Sequence, residues 1–212
     1  SELPIALEVT PAHVNDGEQA PDLMAQSTEI LDMKPKYFIM DAGYDQDKVY
    51  QSAYRHGAQA IIPLNLRNEK EPPAGMTSNG TPRCTMGYEM TYWGSDQKHL
   101  KFRCPHATGK VDCPLGMAAC SSSNYGMVVK IRPEEDLRRY SRPHRDTRQW
   151  KALYNERTSV ERCISRMKTY LTANRLHVRG IQKVKTHIYL NAIVLLLSAL
   201  AVAKQGQKEA VA

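Results

Sequence analysis

Apolar and polar positions alternate at the start of the chain: Leu3, Ile5, Leu7 and Val9 are interleaved with Pro4, Ala6, Glu8 and Thr10. That is the period of a strand with one buried face. Asp16, with Gln19 three positions on, has capping-box spacing for a helix running to about Asp32; a metal ligand at Asp16 is the competing reading. Tyr37 to Met40 is a continuous apolar run between Pro35 and Asp41-Ala42-Gly43-Tyr44-Asp45, the form of a strand buried on both faces. A helix from Gln46 to His56 and a strand from Ala60 to Leu64 follow, so strands and helices alternate. Such an order predicts an α/β sheet with right-handed crossovers.

From Leu66 to Arg148 the character changes. A polar, Pro/Gly-rich stretch leads into strands predicted over Tyr88 to Trp93 and His99 to Arg103, with a turn at Gly94-Ser95-Asp96, and the segment closes on the basic run Leu137 to Arg148. That run reads either as Arg forks for a DNA backbone or as a solvated connector. Ala152 to Leu171 holds no Gly or Pro, and Leu153, Val160, Ile164, Met167 and Leu171 recur at helical spacing. At about 100° per residue, with Tyr154 at zero, Arg157, Glu161 and Lys168 fall at about 300°, 340° and 320°. Four functional groups therefore share one sector at the edge of the buried stripe. The competing reading is a solvated face with an ordinary Arg157 to Glu161 pair. A last helix carries Ile188, Leu190, Ile193, Val194, Leu197 and Leu200, expected to pack on the sheet, and the tail from Lys204 is expected to fray.

The spacing Tyr154, Arg157, Glu161, Lys168 resembles the YREK signature of bacterial insertion-sequence transposases of the DDE type. Asp41-Ala42-Gly43-Tyr44-Asp45 after an apolar strand is similar to the element around their second catalytic Asp. The resemblance implies that Asp41 and Glu161 are catalytic carboxylates holding two Mg²⁺ or Mn²⁺ ions, and that Tyr154, Arg157 and Lys168 handle DNA phosphates. Asp41 as a plain turn cap is the competing reading, and Asp45 and Asp47 are expected to cap the helix after them. The fold implied is α/β, a ribonuclease-H-like mixed sheet with flanking helices, interrupted by a mostly β insertion between the last strand and the Glu-bearing helix. It divides the chain into a first part of the core (1–65), a Cys-containing insertion with its basic connector (66–148), the rest of the core (149–204) and a flexible tail (205–212). The family's first catalytic Asp has no match here. The chain is therefore expected to be the later part of a transposase and to have little or no activity alone. A non-catalytic nucleic-acid-binding or assembly module derived from a transposase is the alternative, and a plain ribonuclease-H-type nuclease a third. The resemblance further implies transposon ends and target DNA as partners, a homo-oligomer in the active complex, and a bacterial cytoplasmic, nucleoid-associated setting.

Charge sharpens the division between the two ends. Residues 1–50 hold three Lys and Arg against ten Asp and Glu, whereas residues 101–212 hold 21 against eight, so the later half suits a polyanionic partner. No secretory leader is visible in the opening residues. The longest apolar run, Ala192 to Ala203, falls short of the roughly 20 residues that cross a bilayer, and no membrane is expected. Five cysteines, an odd number, favour thiols or a metal over a disulfide framework. Cys84, Cys104, Cys113 and Cys120, with His99 and His106 nearby, are enough soft ligands for one tetrahedral Zn²⁺, although the intervals of 19, eight and six residues lack tight CxxC knuckles. Cys163 is expected to be a packing residue. Trp93 and Trp150 are candidates to stack on an unpaired base, with core packing as the alternative for each.

Overall fold

Asn15, one residue before the expected cap, starts helix α1 (Asp16–Leu31): its side chain accepts the Gly17 N–H at 2.9 Å. Asp16 is the first helical residue, where its charge meets the positive end of the helix dipole. Asp32 closes α1 in the left-handed conformation at φ 47°. In this computed structural model, residues 2–66, 69 and 71–211 are described, with side chains to residue 206. Arg67, Asn68 and Lys70, in the polar stretch that opens the insertion, lie outside the described residues, as does Ala212.

Strand β1 (Tyr37–Ile39) pairs in parallel with β2 (Gln59–Ile61), Tyr37 opposite Gln59 and Ile39 opposite Ile61, and helix α2 (Asp47–Arg55) crosses between them. Both strands and both helices lie where the apolar pattern puts them. Ala20 and Met24 of α1, Val49, Tyr50 and Ala53 of α2, and Ala60 and Ile62 at β2 form one buried cluster. The chain is thus mixed α/β with small sheets.

The opening segment departs from expectation. Residues 2–10 form no strand and bend at Ile5 and Ala6. Side chains hold them instead: Lys185 Nζ meets Glu8 Oε1 at 2.7 Å, Tyr189 donates to Leu7 O at 3.1 Å, and Arg162 and Arg166 both bind Glu2. A cleft of about 450 Å³ separates this segment from β1, lined by Leu3, Ile5, Phe38, Met40, Val160 and Ile164 among others. Alternation makes a strand only where a ladder partner is within reach, and here the cleft intervenes.

The insertion has its own sheet of antiparallel strands in the order β3 (Thr91–Ser95), β4 (Leu100–Arg103), β5 (Val128–Ile131), with a bulge between Tyr92 and Gly94. Met90, Leu100, Phe102, Ile131 and Tyr140 form a second buried cluster. Between β4 and β5, residues 104–127 contain turns alone.

Helix α3 (Arg148–Asn155) packs near β2, α4 (Thr158–Tyr170) runs beside the cleft, and α5 (Ile181–Val211) ends the chain. The expectation that the last helix is buried fails. Leu190, Ile193, Val194, Leu197, Leu200 and Val202 are exposed, and the contacts of α5 are with α4 and, through Lys185 and Tyr189, with the opening segment. The span Ile181–Gly206, 26 residues containing an 18-residue stretch of mean hydropathy 1.9, is long and apolar enough to cross a membrane by length and composition. The uninterrupted run in the sequence understated it, since Thr186, His187 and Asn191 continue the same helix.

Candidate functional site

Thr147 opens α3 by accepting the Trp150 N–H at 3.1 Å. Trp150 is buried, and Tyr154 one turn later stacks on it at 5.2 Å between ring centroids with a 14° interplanar angle. Trp150 is therefore a packing residue and is not free to receive a base. The expected single helix is broken after Asn155. Glu156 and Arg157 stay in right-handed helical geometry, but the bonds tighten to three-residue spacing: Arg157 N–H to Tyr154 O at 3.0 Å, Ser159 to Glu156 at 3.0 Å, Val160 to Arg157 at 3.0 Å. Thr158 causes part of this, since its hydroxyl donates to Asn155 O at 3.0 Å and competes for the last carbonyls of α3.

Three of the four motif residues nevertheless meet. The Arg157 guanidinium lies 5.5 Å from the Tyr154 ring centroid, and its Nη1 donates to Glu161 Oε1 at 2.8 Å. The Glu161 hydrogen bond pushes the Arg157 pKa upward. Glu161 is exposed, and Lys168 stands exposed in the last turn of α4. Seven residues is close to two full turns, so Lys168 lies on the Glu161 side about 10 Å along the axis. The apolar stripe is only half sunk: Met167 and Cys163 are buried, while Val160 and Ile164 face the cleft. Burial also raises the Cys163 thiol pKa, in keeping with its packing role.

Asp41 sits at the carboxyl end of β1 and caps the short 3₁₀ turn Ala42–Tyr44, its Oδ1 accepting the Gly43 N–H at 2.8 Å. A Cβ on Gly43 would stand 3.0 Å from that oxygen, so glycine here makes room for the cap. Asp41 is exposed. Its neighbour Met40 and Glu161's neighbour Val160 line the same cleft, although neither carboxylate is part of its lining. Their oxygens are the hard donors that Mg²⁺ and Mn²⁺ take. Among the described residues no three His, Cys, Asp or Glu side chains already stand as a metal-holding group.

The basic run does something else than expected. Asp45, its side chain fully buried and not a cap of α2, accepts Arg138 Nε at 3.0 Å and Nη2 at 2.7 Å, the Tyr50 hydroxyl at 2.7 Å and the Asn65 N–H at 2.6 Å. These contacts raise the Arg138 pKa, Asp45 first among their causes. Arg145 donates to the carbonyls of Ile62, Arg138 and Arg139 at 3.1, 2.7 and 2.8 Å, and burial pushes its pKa down. Arg139 binds Glu69 at 2.7 Å and Asp136 at 3.1 Å. Neither a DNA grip nor a loose connector, the run is a clamp between insertion and core. Composition carries the signal: Arg138, Arg139, Arg142, Arg145 and Arg148 are all Arg and none is Lys, the choice for buried planar forks.

Trp93 remains exposed, with the Arg103 guanidinium 4.0 Å from its ring centroid and 4.6 Å from that of Tyr125. His99 belongs to the β3–β4 turn, paired with Asp96 at 3.4 Å, away from the other zinc candidates. Cys84, Cys104, Cys113 and Cys120 all line one small space, discussed below.

The family model described as Transposase DDE domain matches residues 1–197 of this chain. Among curated proteins and among solved structures, nothing matches.

Proposed function

The chain belongs to the transposase DDE domain family, DNA strand-transfer enzymes that bind DNA and use divalent metals, and from that premise we propose that Asp41 and Glu161 are two of its catalytic carboxylates. The observation that carries this reading is the linked set Tyr154, Arg157 and Glu161 around the start of α4, with Asp41 exposed at the carboxyl end of β1. The core takes the ribonuclease-H-like topology of the family's catalytic domains, supported by the parallel β1–α2–β2 unit.

Divalent ions held by Asp41 and Glu161 would supply charge neutralisation at the scissile phosphate and an activated oxygen nucleophile. The chain's own groups do the positioning. Arg157 holds the Glu161 carboxylate through its Nη1 and offers its other guanidinium nitrogens to a phosphate. Tyr154, braced on Trp150, offers a hydroxyl to a phosphate oxygen, and Lys168 meets the strand farther along α4. The transposase acts as a homo-oligomer on paired transposon ends in the bacterial cytoplasm.

The test is strand cleavage by the full reading frame that encodes this chain. Mn²⁺-dependent nicking of a transposon-end duplex, abolished by Glu161→Gln and by Asp41→Asn with the fold intact, is the expected result. Unaltered nicking in either variant overturns the assignment. A second reading, a DNA-binding module without catalysis, is favoured by one observation: no metal-holding group is assembled among the described residues. Salt-sensitive DNA binding that ignores metal, with no nicking by the full frame, decides for it.

A further inference from the structure

Four cysteines distant in sequence converge within the insertion. Cys84, Cys104, Cys113 and Cys120 line one enclosed space of about 10 Å³. Independent contacts place their segments together. Thr85 Oγ1 lies 3.2 Å from Cys120 Sγ, and the Cys113 N–H donates to His106 Nδ1 at 3.2 Å. Gly126 packs so tightly on Cys104 that a Cβ there would meet the Cys104 Cβ at 2.6 Å.

Two of the four share a backbone form that their sequence spacing hides. Cys84-Thr85-Met86-Gly87 and Cys113-Pro114-Leu115-Gly116 are both tight turns that begin with Cys and end on a left-handed Gly. The Gly N–H donates to the Cys carbonyl at 2.8 Å in the first and 3.0 Å in the second. Gly87 has φ 78° and Gly116 φ 63°, a conformation that glycine adopts without steric cost. Each turn thus presents a cysteine at its head on a fixed loop. Cys104 sits at the end of β4, buried and rigid.

We propose that Cys84, Cys104, Cys113 and Cys120 form a structural tetrathiolate Zn²⁺ site that fastens the turn-only segment 104–127 to the insertion sheet. The ligand type and number are those of closed tetrahedral zinc. A stretch of 24 residues without helix or strand is longer than loops that hold themselves, and the cysteines stand where a fastening is needed. The sulfurs are not gathered as a metal-holding group in this structure, so binding the ion requires their χ1 rotors to turn toward the shared space. Each thiol loses its proton to solvent on binding, so affinity rises with pH. His106 keeps its Nδ1 on the loop backbone and stands beside the four ligands.

The full 212-residue chain, purified under reducing conditions from zinc-supplemented medium, should carry about one zinc per chain by elemental analysis. Substituting Co²⁺ should give the near-ultraviolet thiolate charge-transfer bands and intense visible absorption of a tetrahedral tetrathiolate. Cys113→Ser combined with Cys120→Ser, both on the loop, should abolish the bound zinc while Cys163→Ser leaves it unchanged. Chelation should speed tryptic cleavage after Lys110 without loosening the α/β core. Metal-free chain with no Co²⁺ thiolate spectrum overturns the proposal even if a variant fails to fold. So does recovery of the four cysteines as disulfides by mass under non-reducing conditions.

Discussion

Asp45 and Arg138 stand 93 positions apart and are joined by two parallel hydrogen bonds, at 3.0 and 2.7 Å, across the seam between core and insertion. The Asp45 side chain is fully buried, so a lost partner leaves an uncompensated charge. Asp45→Asn and Arg138→Met should each destabilise the fold by about 3–5 kcal/mol, the cost of breaking a buried pair on one side. Urea denaturation measures both. The double variant should recover part of the loss, and strict additivity would show that the two do not act as a pair.

His144 predicts an acid-sensitive insertion. It is stacked on Tyr92 at 4.5 Å and edge-on to Phe102 at 5.4 Å, and burial lowers its pKa, outweighing the nearby Asp146 carboxylate. The unfolded chain takes up its proton near the ordinary value of about 6.5, before the folded chain does. The stability it contributes is thus complete above that pH and is lost as pH falls through the lowered folded value. His144→Phe should flatten this part of the pH dependence of the urea midpoint. An unchanged slope would mean that another group is responsible.

Tyr154 and Trp150 separate structure from function. Tyr154→Phe keeps the stack on Trp150 and should leave the melting temperature unchanged while weakening DNA binding through the lost hydroxyl. Trp150→Ala should cost about 3–5 kcal/mol, as for other large-to-small core changes. Equal melting losses in the two variants would place the hydroxyl in the fold and not at the DNA.

Lys168 tests the electrostatic part alone. Lys168→Ala should weaken binding to duplexes of any sequence by a similar factor. It should also reduce the salt slope of log K by about 0.9, one phosphate contact. Binding measured by fluorescence anisotropy at several salt concentrations reads both, and an unaltered slope removes Lys168 from the interface.

Much of the core was legible because its signals are local. The run Tyr37 to Met40, the helix after Asp45 and the strand from Ala60 all lie within a residue or a few of where pattern placed them. The break at Glu156 and Arg157 was not legible, because every residue from Ala152 to Leu171 tolerates a helix and the Thr158 hydroxyl that contributes to the interruption is compatible with one. The opening strand failed for a different reason: alternation specifies a buried face, whereas a strand also needs a neighbour. Of the candidate site, the Tyr154, Arg157 and Glu161 grouping could be read from spacing. The fate of Arg138, Arg139 and Arg145 could not, since their partners Asp45, Glu69 and the carbonyl of Ile62 are distant in sequence. The turns at Cys84 and Cys113 were likewise hidden, their likeness lying in backbone form and not in interval.

The last helix has a consequence for the life of the chain in a cell. Its apolar residues lie in water along most of their length, and transiently uncovered apolar surface drives aggregation and recruits chaperones. Folding the core and the insertion does not remove that surface. Covering α5 would therefore remove an aggregation-prone surface that folding alone leaves open.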